Sequence, residues 1–550
     1  MLVQNVTIVF RLFLALQVLA LFACKKSDVS APAPSPEPPV VDNSAPLKDA
    51  ADFPVGAAVS YSSMTGDATY AGIVKRDFDA VTFDYNMKHG AVVNADGSKD
   101  YSRADELVTL IKAAGLTVFG HTLVWHQNNN GDFLRSFSTA PVPTGTDMLL
   151  SPKDLNGKLD NAGQGTTPST LFSWWFGSVG SSGEATFERE TEAASQQGAS
   201  SLKVTVTKPG TNAWDVQFIN QDWKPVAGAT YQLRFWVKAA NGGSFRAINQ
   251  TPNTGSPNFS SITVTPPTAW SEVVWNYTAP ANAIQFGFHF SSAGTFWIDN
   301  VSIVETTVSP VSSAVAAARM DSVMKDWIQT TVNRYKVNVH AWDVVNEPFT
   351  DGNPVLRTGA TSTGDTYYWA HYLGRDYIAN AFRYASEADP TAALFLNDYN
   401  LESNSAKLDS IIALATALKT AGVPITGIGT QMHISVGASY TGIDQMMQKL
   451  AATGLKIRVS ELDVRVGNGG AAGTPPPATA LANQAALYQH VVSSYRKYVP
   501  AAQRAGITVW GVTDNTSWLY KNGADYPLLY DKDYNRKPAY AGFLSALRER

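Results

Sequence analysis

Eight short apolar, β-rich runs recur between helical patterns, and this alternation constrains the fold more than any other feature of the chain. The runs cover residues 53–60, 80–88, 116–125, 339–347, 393–400, 428–434, 456–464 and 507–513. Between them lie segments such as 102–114, 314–335, 372–388, 405–421 and 480–498, whose apolar residues recur every three or four positions, as on one face of a helix. Strands joined through helices pair in parallel, because each crossover needs a connection of helical length. Eight such units predict an α/β chain closed into a (β/α)8 TIM barrel.

The third and fourth runs stand more than two hundred residues apart, far beyond an ordinary connection between a strand and a helix. Across this gap the texture turns rich in Ser, Thr, Gly and Asn, with alternating stretches at 201–207, 231–237 and 296–303 that read as half-buried antiparallel strands. An all-β sandwich of jelly-roll type is therefore expected between strand three and helix three. It divides the chain into a first barrel part over 50–154, the insert over 155–305 and a second barrel part over 306–550. A loop tolerates such an insertion when the ends of the guest domain lie close together.

Ahead of the barrel, Arg11 precedes an apolar run over 12–23, too short to span a bilayer and suited to a signal-peptide core. Leu21-Phe22-Ala23-Cys24 resembles a bacterial lipoprotein cleavage box, and Cys24 is the only cysteine, so no internal disulfide can form. Residues 1–24 are expected to act as a lipoprotein signal peptide ending in a lipidated Cys24. Residues 25–49, with Pro32, Pro34, Pro36, Pro38 and Pro39, then read as an extended spacer. The expectation is export and anchoring in a bacterial envelope, on the periplasmic or surface face of the outer membrane, with membrane contact only through the lipid.

A formal net charge of −4 and the lack of a long basic block remove the electrostatic footprint that nucleic-acid binding needs. With 14 Trp and 22 Tyr, the chain is well supplied with flat apolar faces of the kind that stack on sugar rings, although aromatic residues also fill cores.

In a (β/α)8 barrel the reactive side chains stand at the C-terminal ends of the strands. Strand four ends Trp342-Asp343-Val344-Val345-Asn346-Glu347-Pro348 and strand seven ends Val459-Ser460-Glu461-Leu462-Asp463, so each delivers a carboxylate to one rim. Two carboxylates flanking a glycosidic bond are what its hydrolysis needs: one protonates the leaving oxygen while the other attacks the anomeric carbon. Glu461 and Asp463 are two apart on one strand and share a face, as do Gln431 and His433 on the preceding strand. His433 can then bridge Glu461 and Asp463 and favour an ionised Glu461. No His-Glu-x-x-His motif and no Gly-rich phosphate loop appears, so no cofactor is expected for catalysis.

These motifs resemble those of glycoside hydrolase family ten, the xylanase family. His121-Thr122-Leu123-Val124-Trp125-His126, the stretch ending in Glu347, Asn397-Asp398-Tyr399-Asn400, Gln431-Met432-His433, Ser460-Glu461-Leu462-Asp463 and Trp510-Gly511-Val512-Thr513-Asp514 with Trp518 stand in the family's order. The resemblance implies that Glu347 is the acid/base and Glu461 the nucleophile of retaining, endo-acting hydrolysis of β-1,4-xylan. It implies supporting roles for Asn346, His433 and Asp463, with Asn346 bonding the sugar's 2-hydroxyl. Lys88, His121, Trp125, Asn128 and Gln431 would contact the sugar, and Trp510 and Trp518 would wall the site. Xylan or xylo-oligosaccharides are the expected partners of a monomer.

Two departures bear on substrate preference. Where the family places Glu-Asn ahead of Met-Lys, this chain reads Asp84-Tyr85-Asn86-Met87-Lys88-His89, with Tyr85 at the usual Asn position. Asn128 replaces a glutamine and is followed by Asn129 and Asn130. A barrel acting on another β-glucan or a mannan, and a glycan-binding lipoprotein without turnover, are the alternatives. The insert resembles carbohydrate-binding modules of the family four, nine and twenty-two type, through residues 212–217 and 297–302. Trp214 and Gln217 are the expected sugar contacts, and Trp297 is expected to be structural. Such modules often hold a structural calcium, but no EF-hand-like ligand run names its site.

Overall fold

The structure, a computed structural model, describes residues 45–144, 174–178, 182–191, 196, 200–220, 223–250, 259–281, 285–359, 364–467 and 473–549. The expected signal segment 1–24 with Cys24, and nearly all of the spacer 25–49, lie outside the described residues.

Eight parallel strands close into a barrel: β1 (Val55–Val59), β2 (Ala80–Phe83), β3 (Thr117–Gly120), β4 (Val339–Asn346), β5 (Ala393–Asp398), β6 (Gly427–Thr430), β7 (Lys456–Arg465) and β8 (Arg504–Val509). Each pairs with its neighbours in chain order, and β1 pairs with β8 to complete the ring. Their residues are nearly all buried, because the outer face of each strand meets a helix and the inner face meets the barrel interior. Arg458 on β7 crosses that interior: its guanidinium donates to Thr508 on β8 and lies 3.6 Å from the Phe119 ring centroid on β3. Burial pulls this cation down to about 10 against the charges of Asp343 and Glu461.

Four expected strands end well short of their predicted rim, among them the run 116–125, which stops at Gly120, and the run 507–513, which stops at Val509. The run 80–88 stops as a strand at Phe83, and Lys88 follows a turn, immediately before the helix His89–Val92. The run 428–434 is broken. Met432 takes the left-handed backbone (φ 64°), and His433–Ser435 forms a separate segment paired with the end of β7. Gln431 and His433 are therefore not alternate residues of one strand; each is placed by its own backbone bonds.

The insert is a sandwich. One sheet orders the strands Phe259–Val264, Phe245–Gln250, Gln285–Phe290, Val216–Asn220 and Trp174–Ser178. The facing sheet orders Ser271–Thr278, Thr230–Ala239, Gly294–Pro310, Ser200–Lys208 and Glu184–Thr191. Phe235, Phe245, Phe288 and Phe296 fill the space between the two sheets. The strand Gly294–Pro310 runs beyond the sandwich, and its end pairs antiparallel with Thr139–Pro143, the segment that leads into the insert. Entry and exit thus form one two-stranded ribbon. Ser312 then caps the helix Ser313–Tyr335, which returns the chain to the barrel.

Candidate active site

Glu347 follows β4 with φ 53°, a left-handed backbone that costs a residue with a Cβ roughly 1–2 kcal/mol. Its N–H donates to the Asn397 carbonyl at 2.8 Å, which holds the turn. Gln431 Nε2 donates to Glu347 Oε1 at 2.9 Å, and Asn346 Nδ2 approaches the same oxygen at 3.3 Å. His126 Nδ1 stands 3.9 Å from Glu347 Oε2. Burial pushes His126 down to about 3, with Arg357 and Lys407 adding to the effect, so its ring is neutral beside the carboxylate.

Glu461 lies in mid-β7, opposite. Burial alone would raise its pKa; His121, a hydrogen bond from His433 and the charges of His433 and Lys88 outweigh that and bring it below 4.5. His433 sits between two carboxylates, with Nε2 3.3 Å from Glu461 Oε2 and Nδ1 2.7 Å from Asp463 Oδ2. Burial disfavours a charged His433, yet the charge and hydrogen bond of Asp463, reinforced by Glu461, raise it to about 10. The ring is an imidazolium at neutral pH. Trp518 Nε1 donates to Asp463 Oδ2 at 2.9 Å, which ties this chain of contacts to the loop above.

The two halves meet at Asn397 on β5. Its Nδ2 is 2.8 Å from both Asn346 Oδ1 and Glu461 Oε1, and its Oδ1 accepts from Ser460 Oγ at 2.7 Å. One amide therefore braces Glu461 against the residue that precedes Glu347.

Glu347 and Glu461 line one open cleft of about 780 Å³, together with Lys88, His121, Trp125, Asn128, Asn346, Gln431, His433, Trp510 and Trp518. The structure thus brings together nearly all the barrel residues that the sequence marks; Asp463 stands behind them, fully buried. Lys88 is buried with its Nζ 4.6 Å from the Trp125 ring centroid. Burial lowers its pKa, while Glu461, Asp84 and Glu347 oppose that. His121 pairs with the buried Asp343 at 2.9 Å. Asn128 holds φ 51°. Trp518 is half exposed at the cleft mouth, whereas Trp342 is fully buried.

Asn397, His126, Asp343 and Arg465 carry contacts that sequence reasoning did not single out. The alternation Glu461, Asp463, Arg465 along β7 could have found the last of these. Trp214 and Gln217 are in the sandwich and do not line the cleft: Trp214 is half exposed, and Gln217 is buried with its amide donating to the Trp214 carbonyl. Trp297 is partly buried, with Nε1 donating to Glu190 at 2.5 Å. Among the described residues no group of three or more His, Cys, Asp or Glu side chains stands together as a metal site, so no calcium ligands are assigned.

Residues 46–143 and 297–546 match the model of glycosyl hydrolase family 10, well over half of the chain, and residues 156–294 match that of a carbohydrate binding domain. The chain belongs to glycosyl hydrolase family 10. Its family 10 domain is split by a binding domain of the family four and nine type. Among similar proteins is an endo-1,4-beta-xylanase A of Cellvibrio japonicus, 39% identical over 240 residues, or 40% of this chain and 39% of that protein. Another is an exoglucanase XynX of Acetivibrio thermocellus, 38% identical over 226 residues, 40% of this chain and 19% of that protein. The chain thus spans well under two thirds of the length of these relatives. A solved family 10 structure from Paenibacillus barcinonensis shares the fold, with a TM-score of 0.54 at 22% identity, covering 91% of this chain and 96% of that one.

Proposed function

We propose that this family 10 protein is an endo-1,4-β-xylanase that cleaves xylan with retention at the anomeric carbon. The observation that carries the reading is the pair of carboxylates braced across Asn397, one beside neutral donors and the other against an imidazolium. Glu461 attacks the anomeric carbon while Glu347 gives its proton to the departing glycosidic oxygen, so that the C–O bond breaks and a glycosyl ester forms on Glu461. Glu347, now ionised, takes a proton from water; that water attacks the anomeric carbon and releases Glu461. The bracing by side-chain amides supports a short gap between the carboxylates, about 5 Å, as retention requires.

The stereochemistry of the first product tests this. Proton NMR of xylo-oligosaccharide cleavage should show the β-anomer before mutarotation; the α-anomer appearing first would mean inversion. Glu347→Gln and Glu461→Gln should each remove most hydrolysis, and full activity in either would end the proposal.

A second reading, cleavage of a β-glucan, is favoured by Tyr85 at the usual Asn position and by the relative named an exoglucanase. Reducing-sugar release from xylan, β-glucan and mannan separates the two. We also propose that the inserted domain holds the enzyme on polymer through the half-exposed Trp214. Loss of pull-down on insoluble xylan in Trp214→Ala tests that role. Export and anchoring through Cys24 complete the proposal, and metabolic labelling with a fatty acid, absent in Cys24→Ser, tests them.

A further inference from the structure

Arg465 ends β7 two alternations beyond Glu461, on the same face as Glu461 and Asp463. At about 3.3 Å per residue its backbone stands roughly 13 Å from that of the nucleophile, toward the mouth of the cleft. The side chain is exposed, lines the cleft, and lies 5.5 Å from the Trp518 ring centroid. Among the described residues it has no hydrogen bond or ion pair from its guanidinium. Two carboxylates of neighbouring segments carry other bonds. Asp463 Oδ2 holds His433 and Trp518, and Asp525 Oδ1 accepts from the backbone of Val466 and Tyr526. The indole beside Arg465 is itself fixed by its bond to Asp463. A planar, permanently charged fork is thus presented above Glu461 with no ion pair to another side chain among the described residues.

That height decides what it can meet. The scissile linkage lies down at Glu461 and Glu347, so a group at Arg465 must project from the sugar chain toward solvent. A neutral hydroxyl accepts single bonds from a guanidinium, whereas a carboxylate adds an opposite charge and two parallel bonds that match the fork. We infer that Arg465 recognises a uronic acid side group on the xylan chain, and that the cleft therefore favours acid-decorated over plain xylan. This rests on the reading of the cleft as a xylan-cleaving site. Trp518 supplies the flat surface on which both the guanidinium and the substituent's ring can lie.

The test compares kcat/KM on two matched xylo-oligosaccharides, one plain and one carrying a single glucuronic acid side group. Because the contact is exposed, the acidic-to-plain ratio of the native protein should fall by about twofold to fivefold in Arg465→Gln. It should fall less in Arg465→Lys, which keeps the charge without the fork, and thermal melts confirm that both variants fold. The native ratio should also shrink toward that of Arg465→Gln in about 1 M salt, where the screening length is ~3 Å. An unchanged ratio in Arg465→Gln, with plain oligosaccharide still cut, would overturn the assignment of Arg465. If the native protein cut neither oligosaccharide, the xylanase reading itself would fall.

Discussion

The side-chain amide of Asn397 donates to Oε1 of Glu461 at 2.8 Å, and the same nitrogen lies 2.8 Å from the Asn346 amide oxygen. A hydrogen bond to a charged group contributes about 1.5–3 kcal/mol. Asn397→Ala should therefore lower kcat roughly tenfold to a hundredfold. Steady-state kinetics on a soluble xylo-oligosaccharide check this; a change in KM alone would mean that the amide serves binding rather than the reacting carboxylate.

Gly429 on β6 stands in register with Asn397, and a Cβ there would fall inside contact distance of the Asn397 amide oxygen. Gly429→Ala should push the amide away from both partners at an overpacking cost of about 1–3 kcal/mol. The expected pattern is a kcat at least as low as that of Asn397→Ala with a moderate fall in Tm, read by kinetics and calorimetry together.

Asp463 is what holds His433 charged, and His433, together with the larger effect of His121, keeps Glu461 below its ordinary range against burial. Asp463→Asn should lower the pKa of His433, weaken its bond to Glu461 and let that carboxylate rise. If Glu461 acts ionised, as proposed, the acid limb of the kcat/KM profile reports it in the free enzyme and should move to higher pH. An acid limb that stays in place would break the link between Asp463 and Glu461.

The same ring sets a stability window. His433 is raised from 6.5 to about 10 in the folded protein, so its pairing contributes stability in full below pH 6.5 and loses it as pH climbs to about 10. Glu461 is shifted the other way; its contribution is present above pH 4.5 and fades as pH falls through its lowered value. Thermal melts should show Tm declining on the alkaline side, and His433→Asn should flatten that decline.

The barrel was legible because parallel strands covered on both faces are apolar throughout, so eight runs stood out against amphipathic helices. Their ends were less so. Asp84 and Asn86 are turn-forming residues but, with neither Gly nor Pro beside them, do not by themselves end a strand, and Met432 is not a residue that signals a left-handed backbone. Glu347, Glu461 and His433 could be found as ionisable groups at strand ends. Asn397 stood in a recognisable motif, yet an amide that braces two neighbours looks in sequence like any asparagine. His126 and Asp343 were hidden likewise, because their importance lies in distances across strands far apart in the chain.

The ribbon formed by Thr139–Pro143 and Thr306–Pro310 makes the guest domain, to the barrel, the tip of a hairpin. Loop-closure entropy grows only with the logarithm of loop length, so hanging a whole domain there burdens assembly of the host little more than a short turn would. Once the ribbon zips, the third and fourth strands are within reach of each other whatever the sandwich is doing. A gene that trades one guest for another at this point, or drops it for a tight turn, would leave the barrel intact, so the two domains can evolve separately.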